Sequence, residues 1–313
     1  MNKAFIKGVE TMDINQFGKL LLTKLPENTI YLNEPMKNYT TFRIGGPVDI
    51  LLKPDSITNL ALAIKLCNEH KIPYYILGNG SNLLVADEGF RGVVIQIYTN
   101  LQEIKVEGNK VTAQAGALLS KVATKALEHS LTGFEFAHGI PGTLGGAVVM
   151  NAGAYGGEMK QVLISCDVLD QEGNMITLSN EALELGYRTS IIQKKGYIVL
   201  AATIALNEGD KEAISMHMKE LMDRRKEKQP LDKPSAGSTF KRPEGHFAGK
   251  LIMDSGLKGY QIGGAMVSEK HSGFVINCGG ATFKDVVALI NHVQEVVKEK
   301  YQVVLEPEVK VLK

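Results

Sequence analysis

The sequence predicts a mixed α+β protein of three domains, and three observations predict it. At 313 residues the chain exceeds one ordinary core, so two or three domains are expected. Up to about residue 98, helical periodicity alternates with short apolar strands, the texture of a small α/β unit. Beyond residue 100 the pattern turns to polar–apolar alternation around Glu-Gly-Asn, and near residue 207 a long charged helix opens a last segment. The expected boundaries are 1–98, 99–207 and 208–313.

The elements follow in order. Residues 1–40 read as an N-terminal helix and then extended chain, ending in "NEPMKNYTTFRIGGPVDI". Met1 to Gly8 is short and mixed, with no long apolar run behind it, so no signal peptide is expected. Ser56 caps a helix in which Ile57, Leu60, Ala61, Ile64 and Cys67 share one face. Strands Tyr74–Leu77, Leu83–Val85 and Val93–Ile97 come next. "EIKVEGNKVTAQAG" and "VLDQEGNMITLS" read as hairpins, with the helix "LLSKVATKALEHS" between them and the buried strand "GYIVLAATIAL" after. The helix in "NEGDKEAISMHMKELMDRRKEKQP" must stop by Pro230. A short helix around Phe247–Asp254, extended chain "GYQIGGAMVSEKHSGFVIN", helix Phe283–Lys300 and a last strand "VVLEPEVKVL" complete the chain.

Composition narrows the function classes. Lys plus Arg is 35 and Asp plus Glu is 34, a formal net charge of 35 − 34 = +1. A general polyanion binder would show a basic stripe or tail, so no nucleic acid partner is expected. No apolar run approaches ~18 residues, so no membrane span is expected. Cys67, Cys166 and Cys278 are scattered, without metal-ligand spacing. They read as reduced and buried in a cytosolic protein, with no metal site.

Two segments are built for close backbone approach. One is "LGNGSN", Gly78-Asn79-Gly80-Ser81-Asn82 between two apolar runs. The other is "GIPGTLGGAVVMNAGAYGGE", residues 139–158. Glycine removes the Cβ that would block a ligand, and successive N–H groups can converge into an anion nest. Ser81 and Asn82 add side-chain donors. A plain hairpin turn and tight packing are the alternative readings. No Gly-Lys-Ser/Thr follows, so neither is a Walker loop. "LGNGSN" leads into a strand and not a helix, so it is no Rossmann fingerprint. Two such segments roughly 60 residues apart, in adjacent predicted domains, point to a large ligand carrying a diphosphate.

Together, "GNGSNLLV", "GFEFAHGIPGTLGGAVVMNAGAYGGE", "GYRTS", "PSAGSTFKRP" and "LEPEVK" closely resemble the UDP-N-acetylenolpyruvoylglucosamine reductase family, from about Tyr39 onward. The resemblance implies the three-domain FAD-binding fold of the p-cresol methylhydroxylase and vanillyl-alcohol oxidase type, with a C-terminal α+β substrate domain. It implies noncovalent FAD, NADPH as hydride donor, and UDP-N-acetylglucosamine enolpyruvate as substrate, reduced to UDP-N-acetylmuramate in a bacterial cytoplasm. It assigns FAD to Gly78, Asn79, Gly80, Ser81 and Asn82, and to Gly139, Pro141, Gly142, Gly145, Gly146, Asn151, Gly153 and Ala154.

The chemistry needs hydride at C3 of the enolpyruvyl ether and a proton at C2. Charge building at C2 must spread into a polarised carboxylate in a dry, preorganised site. Arg188 of "GYRTS" matches the family arginine on that carboxylate; a guanidinium can bind it bidentately and stays charged. Ser238 of "AGSTF" matches the family proton donor, and Glu308 of "EPEVK" the family glutamate that helps stabilise the enol form. Glu306 stands two residues away, on the same face of a strand. Tyr187 is expected to line the substrate pocket, with Arg225, Lys228 and Lys241 toward the UDP. Basic residues at a helix C-terminus also simply complement its dipole. His138 is read as structural.

Two departures stand out. Lys241-Arg242 replaces the Lys-Asn of some relatives, and with only five residues after Glu308 no long C-terminal extension is expected. Another FAD-dependent oxidoreductase of the same fold, or a non-catalytic FAD- or nucleotide-binding regulator, remains as an alternative. A monomer or weak oligomer is expected.

Overall fold

The computed structural model describes residues 12–313; the expectation for Met1 to Gly8 lies outside the described residues. Helix Ile14–Lys24 buries Phe17 and Leu21 against the first sheet. That sheet orders its strands Ile30–Pro35, Pro47–Leu52, Phe90–Gln96 and Tyr74–Leu77. The first pair is antiparallel and the other two are parallel. Helix Ile57–Glu69 makes the crossover, and the Ser56 hydroxyl accepts its Asn59 N–H at 3.2 Å. Val93, Val94 and Ile95 are fully buried, as a strand covered on both faces should be.

The glycine turn is not a hairpin. Tyr74–Leu77 pairs with Phe90–Gln96, whereas Leu83–Val85 leaves that sheet and pairs in parallel with the C-terminal strand Lys310–Leu312. Gly78–Asn82 is therefore a transfer point between two sheets. Leu83, Val85 and Leu312 share a small core with Met36, Leu51 and Leu77.

The middle sheet is antiparallel throughout: Met175–Ser179, Leu163–Leu169, Ile198–Ala205, Lys110–Gln114 and Ile104–Glu107. Both expected hairpins and the central buried strand are there. Helices Leu119–Glu128 and Leu144–Met150 lie on it. Its core is continuous with that of the first sheet, joining Ile50, Leu60 and Ile95 to Ala115, Leu144 and Val148.

Helix Lys211–Lys228 starts on Asp210, whose carboxylate accepts the Ala213 N–H at 2.8 Å, and ends two residues before Pro230. Its Ile214 and Met218 enter the same continuous core, and the helix packs with the middle region, on helix Leu119–Glu128 and the Glu135–Ala137 turn. Beyond it, the three-stranded sheet Gln261–Ile262, Ala265–Val267 and Val275–Asn277 packs with helices Ala248–Asp254 and Phe283–Tyr301. Phe42, Ile44 and Leu84 from the first region join that core. Asp87 of the first region also accepts the Phe283 N–H at 2.9 Å, at the start of the long C-terminal helix.

Three expectations change. The last strand covers only Lys310–Leu312, while Pro307 before it makes a separate antiparallel bridge with Phe240. Glu306 and Glu308 therefore lie before that strand, on either side of the bridged Pro307. Cys278 is exposed, on the loop between Asn277 and helix Phe283–Tyr301, while Cys67 and Cys166 are buried and burial pushes both thiols up to about 12. No helix among the described residues is long and apolar enough to cross a membrane.

Candidate active site

The two glycine segments meet in space. Asn79 Nδ2 donates to the Pro141 carbonyl at 2.8 Å. A Cβ on Gly78 would lie 2.6 Å from Thr143 Oγ1, so Gly78 lets the second segment close onto the first. Gly80 has φ +63°, and a Cβ there would collide with the Tyr39 carbonyl. Gly145 likewise abuts Ala115, and Gly153 abuts Glu158. These four glycines serve the fit of the chain to itself. Gly142 and Gly146 differ: a Cβ on either would meet only ordinary contacts, 3.8 Å from Ile140 and 3.6 Å from Thr143. Gly139 is intermediate, with the Arg225 stem 3.2 Å from its Cβ position.

Around this junction lies a cleft of about 640 Å³ lined by all three regions: Asn79 and Ser81, Pro141 and Arg225, and Ser235 and Gly237. Tyr39 and Lys53, not singled out in the sequence, line it too, with Lys53 Nζ 5.0 Å from the Tyr39 ring centre. The N–H groups of Asn79 to Asn82 donate to no main-chain carbonyl among the described residues. Buried Asn82 Oδ1 has no partner. Arg225 makes no ion pair among the described residues, although neighbouring Arg224 and Asp223 do. Burial pulls the Arg225 guanidinium below its ordinary value. Free donors, a bare backbone and an uncompensated cation in one cleft suit a dinucleotide diphosphate. The residues present fit FAD. Lys228 is exposed and does not line the cleft.

The side chain of Asn151 is committed to the chain itself. It is 1% exposed, donates to Glu158 Oε2 and the Gly186 carbonyl at 3.1 Å each, and accepts the Lys160 N–H at 2.9 Å. Gly153–Ala154 forms a small ladder with Gly157–Glu158.

Arg188 and Glu308, 120 residues apart, are in direct contact: Arg188 Nε donates to Glu308 Oε1 at 2.6 Å, with both side chains largely buried. Gly186 and Thr189 exchange hydrogen bonds of 3.1 and 3.2 Å, making a tight turn with Tyr187 and Arg188 at its centre. Arg188 has φ +55°, a left-handed conformation that glycine or asparagine usually supplies. Such strain in a non-glycine residue clusters at functional sites. Burial raises the Glu308 carboxyl above its ordinary value, against the opposing pull of Arg188, Lys241 and Lys310.

Ser238 is exposed and follows Gly237 (φ +77°). Its neighbour Thr239 accepts the Glu308 N–H at 2.8 Å, and Lys241 N–H donates to the Glu306 carbonyl at 2.8 Å. The serine segment and the glutamate segment thus run antiparallel side by side. Asn82 Nδ2 also donates to the Glu308 carbonyl at 3.2 Å, tying the glutamate to the first glycine turn. Glu306 points elsewhere, to solvent and an ion pair with Lys241. Tyr187 and Lys241 line a second cleft of about 500 Å³ with Arg242, Glu244 and His246, and Tyr187 Oη accepts the Arg242 N–H at 2.9 Å.

A cleft at a three-way junction, lined by backbone donors and a cation that lack partners among the described residues, suits a flavin-dependent oxidoreductase. Residues 48–179 match an FAD binding domain, and residues 229–312 match the C-terminal domain of UDP-N-acetylenolpyruvoylglucosamine reductase. A protein of that name from Caldanaerobacter subterraneus is 59% identical over 92% of this chain and 95% of its own length. One from Clostridium perfringens is 57% identical over 95% and 97%. The crystal structure of the reductase from Thermus caldophilus superposes with a TM-score of 0.78 at 38% identity, covering 91% of this chain and 98% of that one. The chain belongs to the UDP-N-acetylenolpyruvoylglucosamine reductase family.

Proposed function

We propose that the protein reduces the enolpyruvyl ether of UDP-N-acetylglucosamine enolpyruvate to UDP-N-acetylmuramate, the acid sugar nucleotide of bacterial peptidoglycan, in the cytoplasm. The observation that carries this reading is the Arg188–Glu308 ion pair of 2.6 Å, which joins two of the three family-matched residues across 120 residues of chain. When bound, FAD supplies hydride, taken from NADPH, to C3 of the enolpyruvyl group.

The remaining work falls to this chain. Arg188 binds the substrate carboxylate and takes up the charge that spreads into it as C2 becomes electron-rich. Glu308, with its carboxyl raised by burial, stabilises the enol form across the same carboxylate. Ser238 delivers the proton to C2; its alcohol is a weak acid, sufficient only because the carbanionic centre is strongly basic. Gly78–Asn82, Gly142 and Gly146 hold the FAD diphosphate together with Arg225, which the sequence placed toward the UDP but which lines the cleft with Asn79 and Ser81; Tyr187 and Lys241 line the sugar nucleotide's path. Asn151 and Gly153 act on the cofactor only through the backbone they shape. The three-domain division belongs to this reading, with helix Lys211–Lys228 assigned to the middle domain and the substrate domain beginning at Gln229.

The test is anaerobic. Purified protein should be yellow, bleach with NADPH, and recolour when UDP-N-acetylglucosamine enolpyruvate is added. A flavin that bleaches and stays bleached with this substrate would sink the assignment. Flavin left on the polypeptide after acid precipitation would sink noncovalent binding.

A further inference from the structure

The Gly186–Thr189 turn is gripped from both sides by carboxamides. On one side Asn151 Nδ2 donates to the Gly186 carbonyl at 3.1 Å. On the other, Gln193 Nε2 donates to the Arg188 carbonyl at 3.2 Å and to the Val149 carbonyl at 2.8 Å. Buried Ser190 adds a second bond to Val149, Oγ to O at 2.8 Å. Val149 lies in the last turn of helix Leu144–Met150, where carbonyls lack intrahelical partners. Gln193 therefore satisfies the end of that helix and the Arg188 peptide with one amide group. The bond to the Arg188 carbonyl fixes the peptide plane that follows Arg188. The bond to the Gly186 carbonyl fixes the chain that precedes it. Between them Arg188 is held at φ +55°, and from that backbone its guanidinium reaches Glu308.

We propose that Gln193, with Asn151, is a positioning residue for the reduction step: the two amides lock Arg188 in its left-handed conformation against the helix of the second glycine stretch, and thereby hold its guanidinium on the Glu308 side of the site. Neither residue lines either cleft. The proposal rests on the reductase reading for what Arg188 does.

The experiment separates the two half-reactions by stopped flow. Gln193→Met keeps length and helix propensity and removes both donors; Gln193→Lys restores a donor toward the two carbonyls. The Met variant should keep its FAD and bleach with NADPH at the wild-type rate, then reoxidise with enolpyruvyl substrate on the order of 10–100-fold more slowly, the scale of a small misplacement of a reacting group. The Lys variant should recover most of that loss. The pH profile of reoxidation supplies a reading that a merely structural role would not move. Glu308 is faced by Arg188 from the turn, Lys241 from the serine segment and Lys310 from the start of the last strand. Loosening Arg188 removes part of the pull that opposes burial, so the Glu308-dependent limb should shift to higher pH in the Met variant only.

Wild-type rate and profile in the Met variant would overturn the proposal. So would equal slowing of both half-reactions with lost FAD. Should Gln193→Met fail to fold, Gln193→Leu, which has no donor and no charge, carries the same expectations. Wild-type protein that does not reoxidise with this substrate would instead overturn the reductase reading.

Discussion

Arg188 does two opposed things at the residue scale. Its guanidinium makes the buried pair with Glu308, while its backbone takes a conformation that costs an L-residue about 1–2 kcal/mol. Two substitutions separate these. Arg188→Ala and Arg188→Gly both remove the cation and should both abolish flavin reoxidation by substrate. They differ only in backbone tolerance, so the Gly variant should be more stable by about 1 kcal/mol in urea denaturation. Equal stabilities would mean that the turn is unstrained. Arg188 and Glu308 were legible in the sequence through their motifs, yet their contact was not, since 120 residues separate them. Gln193 was invisible. Its partners are main-chain carbonyls, and a bond to a carbonyl leaves no trace in the partner's side chain. Asn151 was singled out in the sequence for the cofactor, and its bond to the Gly186 carbonyl at the Arg188 turn had no sequence signal.

The element that organises the site is the first glycine turn. Sequence showed its glycines and its two flanking strands at the observed bounds. It could not show that Leu83–Val85 seeks the C-terminal strand, because parallel pairing over so long a separation has no local signature. That pairing brings Glu308 beside Asn82. Short-range rules also misread the last strand, where alternation around Pro307 looked continuous. The two kinds of glycine predict different phenotypes. Gly142→Ala has room for its Cβ, so melting of the FAD-free protein should be unchanged. Its methyl would stand where the ligand must approach, and FAD binding should weaken at least about tenfold, the value of one bond to a charged group. Gly80→Ala forces a Cβ onto the Tyr39 carbonyl at φ +63°, so it should lose both FAD and about 2 kcal/mol or more of stability. If Gly142→Ala retained full affinity, that glycine would lie outside the cofactor path.

At the scale of the whole molecule, the hydrophobic cores ignore the linear division of the chain. The first and middle sheets share one core, and the last region builds its own on Phe42, Ile44 and Leu84 of the first. The periodicity of each segment predicted its elements well, but helix Lys211–Lys228 could not be assigned by adjacency, since packing partners are chosen in space. The larger cleft is lined mostly by the first and last regions, and Ser238 comes from the last, whose Thr239 carbonyl accepts the Glu308 N–H. Ser238 is expected to matter to one half-reaction alone. Reduction of the flavin by NADPH needs no proton from Ser238 to carbon; reduction of the enolpyruvyl group needs that proton at C2. Ser238→Ala removes a hydroxyl from an exposed position, so folding and FAD content should survive. General acid–base groups contribute roughly 10²–10⁴ in rate. In stopped flow the variant should bleach with NADPH at close to the wild-type rate and then recolour with substrate at least about a hundredfold more slowly. Equal slowing of both phases would point to a distorted flavin cleft. Unimpaired recolouring would mean that water or another side chain delivers the proton, and the last region would then serve only to bind the sugar nucleotide.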